Sequence, residues 1–410
     1  MAIDFTLSKR QEELREAVHG FAKGIVRPES LKWDRAHGVS HDFLRNLLMM
    51  ARSMGAGIAL GPLADKPKDA QATSGEKKKS QANMNAVLIV GELAWGDAAL
   101  PLSVPGAGLG GPPIRASGTP EQKQRFLSIF DDMSTELRWG AYALTEPGAG
   151  SDVAGIRTSC RKDGSHWVLN GRKCYITNGG RASWNVVFAT IDPALGRAGH
   201  RAFVVEKGTP GFSVGRIEDK MGLRASETAE LVLEDCRVHE DCLLGGEESY
   251  RTKEGFMTAM KTFDNTRPVV ASMACGIGRA AYEYACDFVK DNYVLARPVP
   301  RYAAIAERLA RVGRQLEAAR LTAWRAAWLA DNEQPNAKEA SICKAMAGQA
   351  AIRACVESIE ICGAEGSIAQ EHQLLEKWFR DIKVYDIFEG TGNIQRIVIS
   401  KRLMSDLKSF

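Results

Sequence analysis

The chain has 410 residues, enough for two or three domains, with 45% apolar and 25% charged residues, the balance of an ordinary globular protein. Its net charge of +4, spread over 54 Lys and Arg, argues against a nucleic-acid binder, which concentrates basic charge on one face, but leaves anionic small ligands open. Nine cysteines, an odd number without CxxC spacing, read as reduced thiols rather than zinc ligands; with no apolar signal core and no run near the ~20 apolar residues of a membrane span, the expectation is a cytoplasmic protein without metal or membrane contact.

Residues 1–135 read as a helical domain. Ser8 and Gln11 are spaced as a capping box, and Leu14, Val18, Phe21 and Ile25 follow at helical spacing. Thr119, Pro120 and Gln122 signal another helix start before Phe126 and Leu127. Between them, residues 61–83 are polar with a Lys run at 77–79, the composition of a long exposed loop.

Residues 136–248 read as a β domain. Asp163-Gly164 and Asn170-Gly171 are hairpin signals. The β-branched and aromatic runs 167–169, 174–177, 184–191, 202–206 and 230–234 suit a small antiparallel sandwich or barrel. Residues 249–410 are helical again. Ile305, Leu309, Val312, Leu316, Ala319, Ala323 and Ala327 share one face, Pro298 and Pro300 precede that helix, and Asn336 with Glu339 caps the next, which ends near Gly363. The fold class expected is α+β, in the order helical domain, β domain, four-helix-bundle-like domain.

Three segments do not read as ordinary packing. Residues 141–152, AYALTEPGAGSD, are rich in Gly, Ser and Thr, so that main-chain N–H groups can approach a phosphate or planar ring; alone, the stretch also reads as an interdomain loop. YITNGG, residues 175–180, is an aromatic strand end or simply a β-turn. In IFEGTGNIQR, residues 387–396, Glu389 stands between Phe388 and Gly390; a carboxylate in apolar surroundings becomes a better base, although an exposed loop Glu would have the same sequence.

Taken together with TFDNTRPVV (262–270), the segments TEPGAGSD, YITNGG and FEGTGNIQR resemble the acyl-CoA dehydrogenase family in order and spacing over nearly the whole chain. The resemblance implies FAD bound between the β domain and the C-terminal bundle. It implies flavin contacts from Tyr142, Leu144, Thr145, Gly150 and Ser151, from Tyr175 (often Trp in the family) and Thr177, and from Thr391 and Asn393. Ser151, Phe263, Thr266, Arg267 and Gly390 fall on the substrate side, Gly390 because a side chain would crowd the thioester. Glu389 is the implied base, taking the α-proton of an acyl-CoA while hydride leaves the β-carbon for flavin N5, with the thioester carbonyl polarised by a ribityl hydroxyl and the N–H of Glu389. Electrons would pass to an electron-transfer flavoprotein in fatty-acid or other lipid oxidation. An acyl-CoA oxidase, or a non-catalytic partner subunit, is the alternative. The small residues of 101–113 fall where the family forms its pocket floor and leave the acyl group open.

Two departures bear on assembly. Where the family carries R-x-x-F-G, this chain has Asn292, Leu295 and Ala296; where it carries Q-x-x-G-G, this chain has Glu360 and Ala364. In the family both segments reach a neighbour's FAD. The expectation is a tetramer, either a homomer in which these contacts have drifted or a heteromer in which a related chain supplies them.

Overall fold

In the computed structural model, which describes residues 5–53, 81–131, 136–250, 263–293, 300–368 and 370–407, the first capping box forms. Ser8 Oγ accepts from Gln11 N at 3.4 Å, Gln11 Oε1 accepts from Ser8 N at 3.0 Å, and helix α1 (Lys9–Phe21) follows. A π turn at Ala22–Val26 then shifts the helical register before α2 (Arg27–Ala36) and α3 (His41–Ser53). The expected apolar face therefore breaks at its end: Ala22 and Val26 are buried, while Ile25 is 50% exposed. Residues 61–80 of the expected loop lie outside the described residues, and its last residues belong to the start of α4 (Ala82–Gly96). This helix is apolar nearly all round and buried, as a core helix is. Short helices α5 (Leu100–Ser103) and α6 (Gly111–Ser117) precede α7 (Pro120–Leu127), whose capping box also forms. Gln122 has a second task there, donating from Nε2 to Asp241 O and Leu243 O at 2.7 Å each and so tying the helix to the sheet.

The central region is one seven-stranded sheet: β1 (Gly140–Ala143), β2 (Ser159–Asp163), β3 (His166–Thr177), β4 (Trp184–Thr190), β5 (His200–Glu206), β6 (Phe212–Ile217) and β7 (Thr228–His239), ordered β1-β4-β2-β3-β7-β6 with β5 on β4. The α+β class and the helix–sheet–helix order hold, but the sheet is mixed rather than wholly antiparallel. β1 runs parallel to β4, and β2 meets β4 in parallel at Ser159 and Thr190. The long excursion through the β2–β3 hairpin gives β1 and β4 the crossover that parallel neighbours need. β1 also occupies the first part of 141–152, which is thus strand before it is loop.

Asp163-Gly164 makes its hairpin, with Gly164 at φ +61°. Asn170-Gly171 does not. It sits inside β3 at a register shift against β7, where Asn170 Oδ1 accepts from Asp235 N at 2.8 Å. Glycine is required there for a different reason: φ is +152°, and a Cβ would stand 2.5 Å from Thr158 Oγ1.

The C-terminal helices are α8 (Phe263–Tyr293), α9 (Pro300–Asp331), α10 (Ala337–Ile361), α11 (Gln373–Tyr385) and α12 (Gly392–Leu407). The first four pack as a bundle, and α12 lies along α10. On α9 the expected face is buried from Val312 to Ala327, while Ile305 and Leu309 cover Ala285, Val289 and Ile361. Asn336 does not cap α10 with its side chain; Nδ2 donates instead to Asp264 O at 3.0 Å and Ala326 O at 3.3 Å, tying α10 to α8 and α9. α4 packs on α8 so closely that a Cβ on Gly276 would lie 2.2 Å from Gly91 O.

A buried triad joins the three regions. Lys377 Nζ lies 2.9 Å from Asp97 Oδ2 and 2.6 Å from Asp381 Oδ2; Asp97 also accepts from Ser30 Oγ, and Asp381 from Leu223 N at 2.6 Å. Against the burial that would lower it, the two carboxylates hold the Lys377 ammonium above the ordinary lysine range.

Candidate active site

Between the sheet and the C-terminal bundle lies a cavity of about 1910 Å³. Pockets for one drug-sized ligand run to roughly 300–1,000 Å³, so this cleft has room for more than one such group. From the sheet side it is lined by Tyr142, Leu144, Thr145, Gly150, Ser151, Tyr175 and Thr177, and from the bundle by Thr266, Arg267, Glu389, Gly390 and Thr391. Thus most of the residues singled out from sequence meet on one surface. Asn393 does not add to this lining: it is exposed on α12, where it accepts from Arg396 Nη1 at 3.3 Å. Phe263 is the first residue of α8, and its side chain lies outside the described residues.

The loop after β1 is fixed from beneath by a buried ion pair. Lys173 Nζ donates to Glu146 Oε1 at 2.6 Å and to Leu144 O at 3.1 Å. Glu146 also accepts from Arg157 N at 2.6 Å and Thr158 N at 3.0 Å. Burial pushes Lys173 down to about 8 against the pull of Glu146. Although burial opposes it, the charge of Lys173 and these hydrogen bonds hold Glu146 below the usual carboxylate range. Next to this anchor β3 bulges, and Tyr175, at φ +59°, is 64% exposed on the cleft wall. Tyr142 packs tilted against Phe188, ring centroids 5.0 Å apart and planes at 54°; burial, then the charge of Glu389, push its phenol far up, so it stays a neutral hydroxyl.

Glu389 sits in the tight connection between α11 and α12. Ile387 N and Phe388 N donate to Val384 O at 2.9 and 3.1 Å, ending α11, and Gly392 N donates to Asp386 O at 3.0 Å, closing the turn. Between them Glu389 takes φ +58° and Gly390 φ +91°. A left-handed conformation at a non-glycine residue costs on the order of 1–3 kcal/mol and persists where the surroundings over-determine it. Here Gln395 Nε2 donates to Glu389 O at 3.2 Å and Gly390 O at 3.0 Å. Gly390 is thereby explained by the turn itself: besides its positive φ, a Cβ would stand 2.5 Å from Gln395 Nε2.

Thr266 Oγ1 donates to Glu389 Oε2 at 2.9 Å. Burial raises the proton affinity of Glu389 above the ordinary glutamate range, opposed by that hydrogen bond and by the charges of Arg267 and Lys344. Arg267 itself is held by Asp264 Oδ1 at 2.9 Å. The arrangement is that of a base: a carboxylate on the wall of a cleft, one oxygen tied, with proton affinity raised by its surroundings.

Sequence reasoning missed Lys344, which is 1% exposed, along with Asp386 and Gln395. A signal for Lys344 existed, since it stands in a stripe with Ala340, Ala347 and Ala351 at helical spacing, all buried. The apolar lining from Val90, Pro101, Leu102, Val104 and Leu109 was only partly anticipated, through the 101–113 segment. None of those five carries charge.

Family models for the middle and C-terminal domains of acyl-CoA dehydrogenase match residues 141–236 and 253–404. The human mitochondrial short-chain specific acyl-CoA dehydrogenase is 40% identical over 297 residues, 72% of this chain and 70% of that protein. Butyryl-CoA dehydrogenase from Megasphaera elsdenii superimposes with a TM-score of 0.83 at 31% identity, over 98% of this chain and all of the other. A glutaryl-coenzyme A dehydrogenase in complex with glutaryl-CoA gives a TM-score of 0.84 at 26% identity, over 98% of this chain and 97% of the other.

Proposed function

This chain belongs to the acyl-CoA dehydrogenase family, whose members are FAD flavoproteins, and from that premise we propose that it desaturates the α,β bond of a short, uncharged acyl-CoA with Glu389 as the base. The observation that carries the reading is the left-handed turn that sets Glu389 on the cleft wall, bonded to Thr266 and raised in proton affinity.

The residues present fit the cofactor. The cleft is larger than a substrate alone requires, the exposed Tyr175 ring offers a surface for a planar ring system, and a Cβ built on Gly150 would have no atom within 4 Å, so that loop can be approached closely. Tyr142, Leu144, Thr145, Ser151, Thr177 and Thr391 would hold the flavin. When bound, FAD supplies the two-electron acceptor for the hydrogen lost from the β-carbon.

The remaining work falls to the chain. A thioester α-proton is a weak acid, so the carbonyl oxygen needs donors as charge develops on it. The main-chain N–H of Glu389 makes no hydrogen bond among the described residues and is available for that role. Glu389 Oε2 is held by Thr266, which leaves Oε1 to take the proton. Uncharged lining from Val90 and from the 101–109 segment favours an acyl tail without a terminal carboxylate.

Electrons would pass to an electron-transfer flavoprotein. Nine cysteines without a disulfide support a reducing, cytoplasmic location. Asn292 donates to Phe288 O at 2.8 Å within its own helix, and Glu360 is paired with Arg308, so both departures from the family pattern are engaged inside the chain. That supports a tetramer with a related chain that lends the pyrophosphate contacts. In the Glu360–Arg308 pair, Arg308 partly neutralises the Glu360 carboxylate.

The test is anaerobic addition of a panel of acyl-CoAs to the FAD-loaded protein. Butyryl-CoA should bleach the flavin within seconds, glutaryl-CoA far more slowly, and oxygen should reoxidise the product slowly. Absence of bleaching with every thioester would refute the activity; fast reoxidation would make the enzyme an oxidase.

A further inference from the structure

Lys344 is buried in the middle of α10, and among the described residues its Nζ has no hydrogen-bond partner. A buried ammonium without a partner is costly and calls for an explanation. One helical turn further along the same face is Gly348. A Cβ there would lie 2.9 Å from Asp386 Oδ1, so the missing side chain is what lets Asp386 pack on α10. Asp386 is held by Gln349 Nε2 at 3.0 Å through Oδ2, while its buried Oδ1 has no partner. Its main-chain oxygen closes the turn by accepting from Gly392 N at 3.0 Å, three residues on either side of Glu389. An unpaired cation and an unpaired carboxylate oxygen thus lie beneath the turn that carries Glu389.

We propose that Lys344 is a positioning residue for Glu389: its buried charge, set against Asp386, steadies the 386–392 turn and favours the ionised form of the Glu389 carboxylate. The inference rests on the reading of Glu389 as the base. The charged groups facing Lys344 are Asp386 and Glu389, which favour its ammonium, and Arg267, which opposes it. Those facing Glu389 are Arg267 and Lys344, with the neutral Tyr142 phenol alongside. Burial pushes Lys344 down to about 8, so its charge is present on the acid side of neutrality and lost in alkali.

Two readouts test this on FAD-loaded protein. The first is the rate of anaerobic flavin reduction at saturating butyryl-CoA, followed from about pH 6 to pH 10, for wild type, Lys344→Met and Lys344→Arg. The expected result is a rate for Lys344→Met about tenfold lower on the acid limb, the effect of moving that limb up by one logarithmic unit. The two rates should converge above about pH 9, where Lys344 is itself neutral, and Lys344→Arg should restore the acid limb. The second is infrared titration, without substrate, of the protonated carboxyl band that Glu389→Gln removes; in Lys344→Met this band should persist to higher pH. If Lys344→Met does not fold, Lys344→Gln carries the same comparison. A uniform loss at every pH, or an unmoved carboxyl band, would overturn the proposal. Should Glu389 not be the base, the rates would ignore its titration while the infrared band still reported the coupling, which keeps the two failures apart.

Discussion

Thr266, near the start of α8, and Glu389, in the turn before α12, are 123 residues apart in sequence and joined by a hydrogen bond of 2.9 Å from Thr266 Oγ1 to Glu389 Oε2. The bond stabilises the carboxylate against the burial that raises its proton affinity, and it fixes which oxygen is free. Thr266→Val keeps the shape and removes the donor. A hydrogen bond to a charged group contributes about 1.5–3 kcal/mol, so flavin reduction should slow by roughly ten- to a hundredfold on the acid limb, and that limb should move to higher pH. Rapid-mixing kinetics across pH checks both effects, with FAD content expected to stay at the wild-type level.

The same burial makes Glu389 a cost to the fold. Its native proton affinity lies above the usual 4.5, so between the unfolded and native pKa values the native state binds more protons than the unfolded state. Stability from this group therefore falls as pH rises through that window, and at neutral pH the ionised side chain is destabilising. Glu389→Gln should melt higher than wild type at pH 7, and the difference should vanish below about pH 4, where both states of wild type are protonated. Thermal unfolding at the two pH values checks the sign.

Lys173 is fully buried, and Glu146 is its one anionic partner among the described residues. Removing one member of a buried pair costs about 3–5 kcal/mol, since the other is left charged and unmatched. Glu146→Gln should lose stability by about that amount in denaturant unfolding and release FAD more readily, because the 144–152 loop loses its anchor. Lys173→Met combined with Glu146→Gln should recover part of the loss.

Assembly makes a separate prediction. Losing a charge-assisted bond to a pyrophosphate costs about 1.5–3 kcal/mol, tenfold or more in affinity. With Asn292 and Glu360 in the two positions, the chain made alone should carry well under one FAD per subunit. Co-expressed with a related chain that keeps R-x-x-F-G and Q-x-x-G-G, it should form a mixed tetramer with one FAD per pair of chains. Light scattering with flavin absorbance decides this; a homotetramer holding one FAD per chain would contradict it.

Local rules made much of the architecture legible. Ser8 with Gln11 and Thr119 with Gln122 declare helix starts, because their hydrogen bonds lie within one turn. Four of the strands followed from β-branched runs, and the segment around Glu389 stood out by composition. What failed depended on contacts far away in sequence. Asn170-Gly171 has the composition of a turn, but Thr158 and Asp235 make it a bulge. The π turn at Ala22–Val26 has no local marker, yet it decides that Val26 rather than Ile25 is buried. Asn336 had the spacing of a cap and was drawn off by carbonyls on two other helices. At the site, the cleft residues were legible one by one, whereas the Thr266–Glu389 bond and Lys344 beneath it exist only once α8, α10 and the 386–392 turn are packed together.

Glu389 as the proposed acceptor of the α-proton is tested most directly by anaerobic flavin reduction with butyryl-CoA in Glu389→Gln against wild type. The substitution keeps size and hydrogen bonding while removing the proposed base, so the variant should bind FAD and thioester normally and lose the rate of bleaching by several powers of ten. A variant that bleaches its flavin at near the wild-type rate would place the base elsewhere and contradict the mechanism.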